Sequence, residues 1–228
     1  MITLNKIIYD VREKLKFNTE DIGVTDDYIA HLINIKRNML VKQRFSKFNK
    51  NIPEEVKQII CVPLDVVDSI DGEPCFGSVV KSETIMPDLL EIGGRSALLS
   101  VRVQDITYPN INIIPIERLP YVGYNRWLNK QLYIALDADN HLYLKSANPL
   151  HTNLKKIKVI GVFADPEEAD NMSCDTDDSV VCDEYNDKPY RIEAYLVSDL
   201  VSLVVRELAP TLQIPNDIVN NSDESNRT

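Results

Sequence analysis

Two stretches near the start of the chain have the spacing of amphipathic helices. Over residues 3–17 apolar side chains recur every three or four positions, and Thr3 is a suitable N-cap. A second stretch follows Thr25, begins with an acidic turn that suits the helix dipole, and ends near residue 45. Together the two stretches predict an antiparallel helix hairpin.

A third helical stretch, residues 191–208, is apolar on almost every side. Pro210 is expected to end it. The charges at Glu193, Asp199 and Arg206 exclude a membrane span. Two interpretations stay open: a central helix buried within one core, or a helix buried partly by neighbouring copies of the chain. The second would make Leu200 and Val204 candidate interface residues.

Between these helices the pattern changes to short β-branched runs separated by turn residues. The clearest hairpin has its turn at residues 137–140, and a further strand is predicted over residues 157–163. The fold class that follows is α+β: a helical bundle made by the N-terminal hairpin and the C-terminal helix, with an inserted β-rich domain. The predicted domains are residues 1–55, 56–188 and 189–228.

Charge is unevenly distributed along the chain, whose net charge is −10. Residues 165–187 contain ten acidic residues and no lysine or arginine, and are expected to form an acidic loop. The second predicted helix is basic, with candidate interface residues Lys36, Arg37, Lys42 and Arg44. Both runs are typical of solvated surface. Alternatively, they are complementary patches that guide the assembly of neighbouring subunits.

The sequence contains none of the usual motifs of catalysis or ligand binding. It has no phosphate-binding loop and no regular ligand spacing in the acidic run, where a loose calcium site is the weaker alternative. The four cysteines are expected to be reduced and structural, with a bridge between Cys174 and Cys182 as the alternative. We therefore expect no catalytic residues, no metal, no cofactor and no enzyme activity. The aromatic residues Tyr124 and Trp127 are predicted to anchor an interface rather than bind a ligand.

Two segments of the chain resemble the head–tail connector proteins of crAss-like short-tailed bacteriophages. One is the N-terminal "TLNKIIYDVREKLKF…TDDYIAHLINIKRNMLVKQRF…IPEEVKQIICVPLDVVD". The other is the C-terminal helix followed by "P-x-D-I-x-N". The residues of that last motif become candidate interface residues, namely Pro215, Asp217, Ile218 and Asn220.

The resemblance implies a ring of about twelve copies below the portal. Such a ring would join the portal to the tail and to other tail ring proteins, and would line the DNA channel without binding a particular DNA sequence. The protein would be part of the virion, assembled in the bacterial cytoplasm, with no membrane partner. The alternatives are a tail-tube or stopper ring further from the portal, or a ligand-binding module in the β-rich region.

Overall fold

The structure is a computed structural model that describes residues 2–16, 24–46, 52–70, 73–104, 109–122, 131–174 and 188–212. The chain divides into two compact units. The terminal unit contains residues 1–40 and 186–228, and the sheet unit contains residues 41–185. The predicted domain boundaries at residues 55 and 188 stay a prediction.

The described residues form four α-helices and nine strands. The helices are α1 (Leu4–Lys16), α2 (Asp26–Ser46), α3 (Pro166–Asn171) and α4 (Val197–Leu212). The strands are β1 (Gln58–Ile70), β2 (Glu73–Ser82), β3 (Glu91–Ile92), β4 (Arg95–Ser96), β5 (Leu98–Val103), β6 (Asn112–Ile113), β7 (Tyr133–Leu136), β8 (Leu142–Lys145) and β9 (Lys156–Gly161). Short 3-10 turns lie at Ile116–Tyr121, Pro149–Asn153 and Ala194–Leu196.

The first two helices begin where the sequence predicts. The Lys6 N–H donates to Thr3 Oγ1 at 3.3 Å, and the Tyr28 N–H donates to Thr25 Oγ1 at 3.4 Å, so both threonines act as N-caps. All the predicted apolar positions of α1 are buried, namely Leu4, Ile7, Ile8, Val11 and Leu15. The two helix predictions are confirmed.

Seven strands make one sheet in the order β5-β9-β1-β2-β8-β7-β6. All neighbours are antiparallel except β6 and β7. The long strand β1 pairs with β9 through its first half and with β2 through its second half, with a bulge after Val67. Such a bulge increases local twist and lets the sheet bend.

The bent sheet is nearly closed. Ile111, next to β6, forms an antiparallel bridge to Val101 of β5, and its N–H donates to the Val101 carbonyl at 2.8 Å. In the described part of the chain, the two edges of the sheet therefore meet at one bridge. Inside lies the main apolar core, which includes Ile60, Val62, Leu64, Val80, Val101, Ile111, Ile134, Leu142, Leu144, Ile157, Val159 and Phe163.

The predicted fold class is wrong. The protein is mainly a strand-rich, nearly closed sheet with few helices, and not a helical bundle carrying an inserted β-rich domain. Helix α1 packs closely against α4, and Arg12 of α1 forms an ion pair with Asp26 at the start of α2 at 2.6 Å. The predicted antiparallel hairpin of α1 and α2 stays a prediction. Helical periodicity is visible in a short window of sequence, whereas the strand order of this sheet depends on pairs far apart in the chain, such as Ile60 with Val159.

The predicted β7–β8 hairpin is confirmed. Asp137 and His141 close its turn, and Asn140 adopts a positive φ of 59°, which asparagine tolerates better than most residues. Packing is close elsewhere in the sheet unit. A Cβ added at Gly161 would meet Leu89 Cδ2 at 2.8 Å and the Ala97 carbonyl at 3.1 Å. This position therefore needs glycine for space.

The described helices can be compared with the length and the apolar character of a membrane-spanning helix. Within the described ranges, none of the helices combines the length and the apolar character that crossing a bilayer requires.

Candidate interaction surfaces

Helix α4 has one buried face and one exposed face. Its buried side chains are Val197, Leu200, Val201, Val204 and Leu208. Ser198, Asp199, Ser202, Arg206 and Glu207 are exposed. The two candidate interface residues of α4, Leu200 and Val204, are therefore buried within the chain. The helix begins later than predicted, at Val197, and continues past Pro210 to Leu212.

A groove of about 520 Å³ runs between α1 and α4 in the terminal unit. Its lining includes the apolar side chains of Ile2, Val197 and Val201 and charged side chains such as Lys6 and Glu13. The charged lining residues carry both signs of charge, so the groove shows no clear preference for an acidic or a basic partner.

Two of the four basic candidates on α2 are engaged inside the terminal unit. Arg37 is fully buried, and its Nε donates to the Arg191 carbonyl at 2.8 Å. Lys36 forms an ion pair with Glu207 of α4. A buried arginine that binds a backbone carbonyl holds the fold together and is not available to a partner. The predicted basic surface on α2 is therefore reduced to its last turns.

The other two basic candidates, Lys42 and Arg44, lie on that last part of α2. Lys42 is exposed and Arg44 is half-buried. In the same turns of α2, Val41 and Phe45 are buried in a small apolar cluster with Val56 and Val162. Of these two residues, Lys42 is therefore the one more open to solvent.

The predicted acidic loop, residues 165–187, begins as a short helix. Asp165 is the N-cap of α3, and its carboxylate accepts the Glu167 N–H at 3.0 Å. The buried side-chain amide of Gln58, in β1, donates to the Pro166 carbonyl at 2.8 Å and to Asp170 at 3.0 Å. These bonds fix α3 to the start of β1. Residues 175–187 lie outside the described residues.

A disulfide joins Cys61 of β1 to Cys174, with their Cα atoms 4.9 Å apart. The expectation that both cysteines are reduced is wrong, and the alternative Cys174–Cys182 pairing does not occur. The Cys61 N–H also donates to the Met172 carbonyl at 2.8 Å. The start of the acidic segment is thus tied to the sheet by both a covalent bond and a hydrogen bond. Sequence spacing alone gives no sign of this pairing, because 113 residues separate the two cysteines.

The outer face of strands β1, β9 and β5 carries a basic strip that the sequence analysis missed. We define the basic strip as Arg102, Lys156 and Lys158. Arg102 and Lys158 are directly opposite in the β5–β9 pair. Lys156 lies two residues along β9 on the same face, since successive side chains of a strand alternate between its faces. The alternation in "KIKVIG" is the signal that would have revealed it.

An apolar patch adjoins the basic strip. Ile59 of β1 is directly opposite Ile160 of β9 and is 51% exposed. Ile160 is half-buried, and it also pairs with Ser100 of β5. The outer face therefore combines exposed apolar and basic side chains in neighbouring rows.

Ser82 and His141 are in contact, with Ser82 Oγ 3.1 Å from His141 Nδ1. The serine is buried, and its hydroxyl accepts the Leu142 N–H at 3.0 Å. The same ring nitrogen lies 3.1 Å from the Ser82 carbonyl. These contacts join β2 to β8, and the arrangement does not present an exposed nucleophile.

Several predicted site residues fall outside the described residues, namely Tyr124, Trp127, Pro215, Asp217, Ile218 and Asn220. Their predicted interface roles stay predictions. Within the described part of the chain, His, Cys, Asp and Glu side chains do not gather in a group of three that could hold a metal ion.

Exposed apolar side chains occur in both units, including Tyr9, Tyr28 and Ile35 in the terminal unit and Ile59 and Tyr121 in the sheet unit. The chain belongs to the family described as phage tail ring protein 2, whose model matches residues 6–226.

A curated relative that it matches is Ring protein 2 of Bacteroides phage crAss001. The two are 36% identical over 224 residues, which is 98% of this chain and 97% of that relative. The resemblance to crAss-like phage proteins is thereby confirmed. The chain has a structural ring role in the tail of a crAss-like phage and is a virion component.

Proposed function

We propose that the chain forms a closed ring in the head–tail connector, below the portal, and joins the portal to the tail. The observation that carries this proposal is the family match over nearly the whole chain. The role is non-enzymatic, the ring has about twelve copies, and DNA passes through its channel. Assembly takes place in the host cytoplasm.

Two features of the molecule support this proposal. Exposed apolar side chains lie in both units, as expected of a subunit with several neighbours. The net charge of −10 supports DNA passage, because a negatively charged ring repels phosphates and a duplex slides through without adhering.

The mass of the purified chain, alone and mixed with a candidate portal, tests the proposal. Twelve copies of a 26.0 kDa chain give a complex of about 310 kDa, which size exclusion with light scattering resolves from a monomer. We expect the large complex when the portal is present. A chain that stays monomeric or dimeric with the portal would contradict the proposal. Binding to a tail-tube protein instead of the portal would place the ring further down the tail.

A further inference from the structure

The disulfide between Cys61 and Cys174 is unusual for a protein that assembles in a cytoplasm. The proposed function places assembly in the host cytoplasm, where reducing systems keep most protein thiols unpaired. Disulfides that do form in such a compartment are usually transient, and they act in catalysis or in redox sensing. Both cysteine residues are half-buried rather than sealed in the core, as a pair that exchanges with solvent reagents needs to be.

Cys61 lies in an electropositive row of the sheet. Its direct opposite on β9 is Lys158, and the direct opposite of Lys158 on β5 is Arg102. The Cβ atoms of directly opposite residues are about 4.5–5.5 Å apart, so the lysine amine is within reach of the Cys61 sulfur. A cation beside a thiol stabilises the thiolate, which is the form that attacks another sulfur. A thiolate at Cys61 would in turn reduce the repulsion between Lys158 and Arg102.

Helix α3 is held at the start of β1 by contacts that do not involve sulfur. The side-chain amide of Gln58 donates to the Pro166 carbonyl at 2.8 Å and to Asp170 Oδ1 at 3.0 Å. Ala169 is buried in the main apolar core. These hydrogen bonds and this apolar packing do not depend on the disulfide. We therefore expect α3 to stay in place when the disulfide is reduced.

The residues between α3 and Cys174 are also bonded directly to β1. The Cys61 N–H donates to the Met172 carbonyl at 2.8 Å, and Ser173 forms an antiparallel bridge with Ile60. Cys174 is the next residue, and its Cα lies 4.9 Å from that of Cys61, a usual spacing for a disulfide. The two thiols therefore remain neighbours after reduction, and the bond can close again without a large movement of the backbone.

We propose that Cys61 and Cys174 form a redox-sensitive clamp. The pair is a dithiol while the subunit assembles in the host cytoplasm, and it closes to the disulfide once the particle is outside the cell, where the surroundings are oxidising. Closure ties residue 174 covalently to β1, so the disulfide stabilises the sheet unit only in the finished virion. This inference rests on the proposed function, which places assembly in the cytoplasm.

Closure of the clamp is a thiol–disulfide exchange in which a low-molecular-weight disulfide is the oxidant. The Cys61 thiolate attacks one sulfur of the oxidant, which forms a mixed disulfide and releases one thiolate. The Cys174 thiolate then attacks the Cys61 sulfur and releases the second. In all, the two cysteines lose two protons and two electrons, and the oxidant is reduced to two thiols.

Thiol trapping in infected cells and in released particles tests the clamp on the natural protein. Free thiols are blocked with N-ethylmaleimide at harvest, disulfides are then reduced and labelled with iodoacetamide, and the peptides are identified by mass spectrometry. We expect Cys61 and Cys174 to carry the first label inside the cell and the second label in released particles. A pair that is already closed inside the cell, or still open in released particles, would overturn the inference.

The rate of closure tests the electropositive row. The purified chain is reduced, the reductant is removed, oxidised glutathione is added, and samples are quenched with acid at intervals. Lys158→Met should slow closure about threefold, since the gain in thiolate is partly offset by the lower nucleophilicity of a stabilised thiolate. Lys156→Met is the matched control, because Lys156 lies on the same face of β9 but opposite Pro63, and the rate should not change. Equal rates for the wild type and Lys158→Met would refute the activation of Cys61.

Melting the purified chain with and without a reductant separates the clamp from the proposed function. The oxidised chain should melt roughly 4–20 °C above the reduced chain, because the bond joins residues 113 positions apart. The reduced chain should keep its circular dichroism spectrum, since the contacts of α3 remain. A reduced chain that loses its fold would refute the inference, because the dithiol form could not then assemble. A chain that shows the clamp but forms no ring with the portal would refute the proposed function alone.

Discussion

Replacing Arg37 with alanine tests whether this arginine supports the fold or an interface. Its side chain is fully buried, and its Nε donates to the Arg191 carbonyl at 2.8 Å. A lost hydrogen bond to a charged group costs about 1.5–3 kcal/mol, and removal of the buried side chain leaves a cavity that adds to the loss. We expect the free energy of unfolding to fall by about 2–4 kcal/mol.

Thermal unfolding followed by circular dichroism measures the effect. For a chain of 228 residues the loss corresponds to a fall of roughly 4–16 °C in melting temperature. Lys42→Ala is the control, because an exposed lysine away from special contacts should change stability by no more than about 0.5 kcal/mol. An Arg37→Ala variant that melts with the wild type yet fails to form rings would refute the structural role and restore Arg37 as an interface residue.

Three further predictions concern the packing of each unit. Thiol titration of the unfolded, unreduced protein should find no more than two reactive cysteines, and Cys61→Ser should lower stability by about 2–5 kcal/mol because a long closed loop is released. Four reactive thiols would refute the bridge. Gly161→Ala should cost about 1–3 kcal/mol in denaturant titration, since the new methyl group overlaps a neighbouring side chain. Leu200→Ala on the buried face of α4 should cost about 2–5 kcal/mol, whereas Ser202→Ala on its exposed face should cost almost nothing.

Local features of the fold are predictable from the sequence, because each depends on residues close together in the chain. Thr3 and Thr25 mark the starts of α1 and α2 through hydrogen bonds that span three residues. The turn at Asn140 depends on the backbone preference of one residue. In each case the structure is decided within a few positions.

Long-range features are not predictable in this way. Ile60 of β1 pairs with Val159 of β9, and Cys61 bonds to Cys174, but no local pattern identifies either pair. The composition of α2 suggests a basic surface, yet composition does not reveal that Arg37 is buried. The cations of the basic strip lie on two strands, so they come together only when β5 and β9 pair.

The closure of the sheet at Ile111 has a consequence for its slow motions. Among the residues that the structure describes, a single bridge holds this seam, whereas β1 is held to β2 along most of its second half. Opening a region with few hydrogen bonds costs much less free energy than unfolding the whole unit. The amide hydrogen of Ile111 should therefore exchange with deuterium sooner than the amides of the central strands. We therefore expect the seam between Ile111 and Val101 to open and close while the other strands of the sheet stay paired.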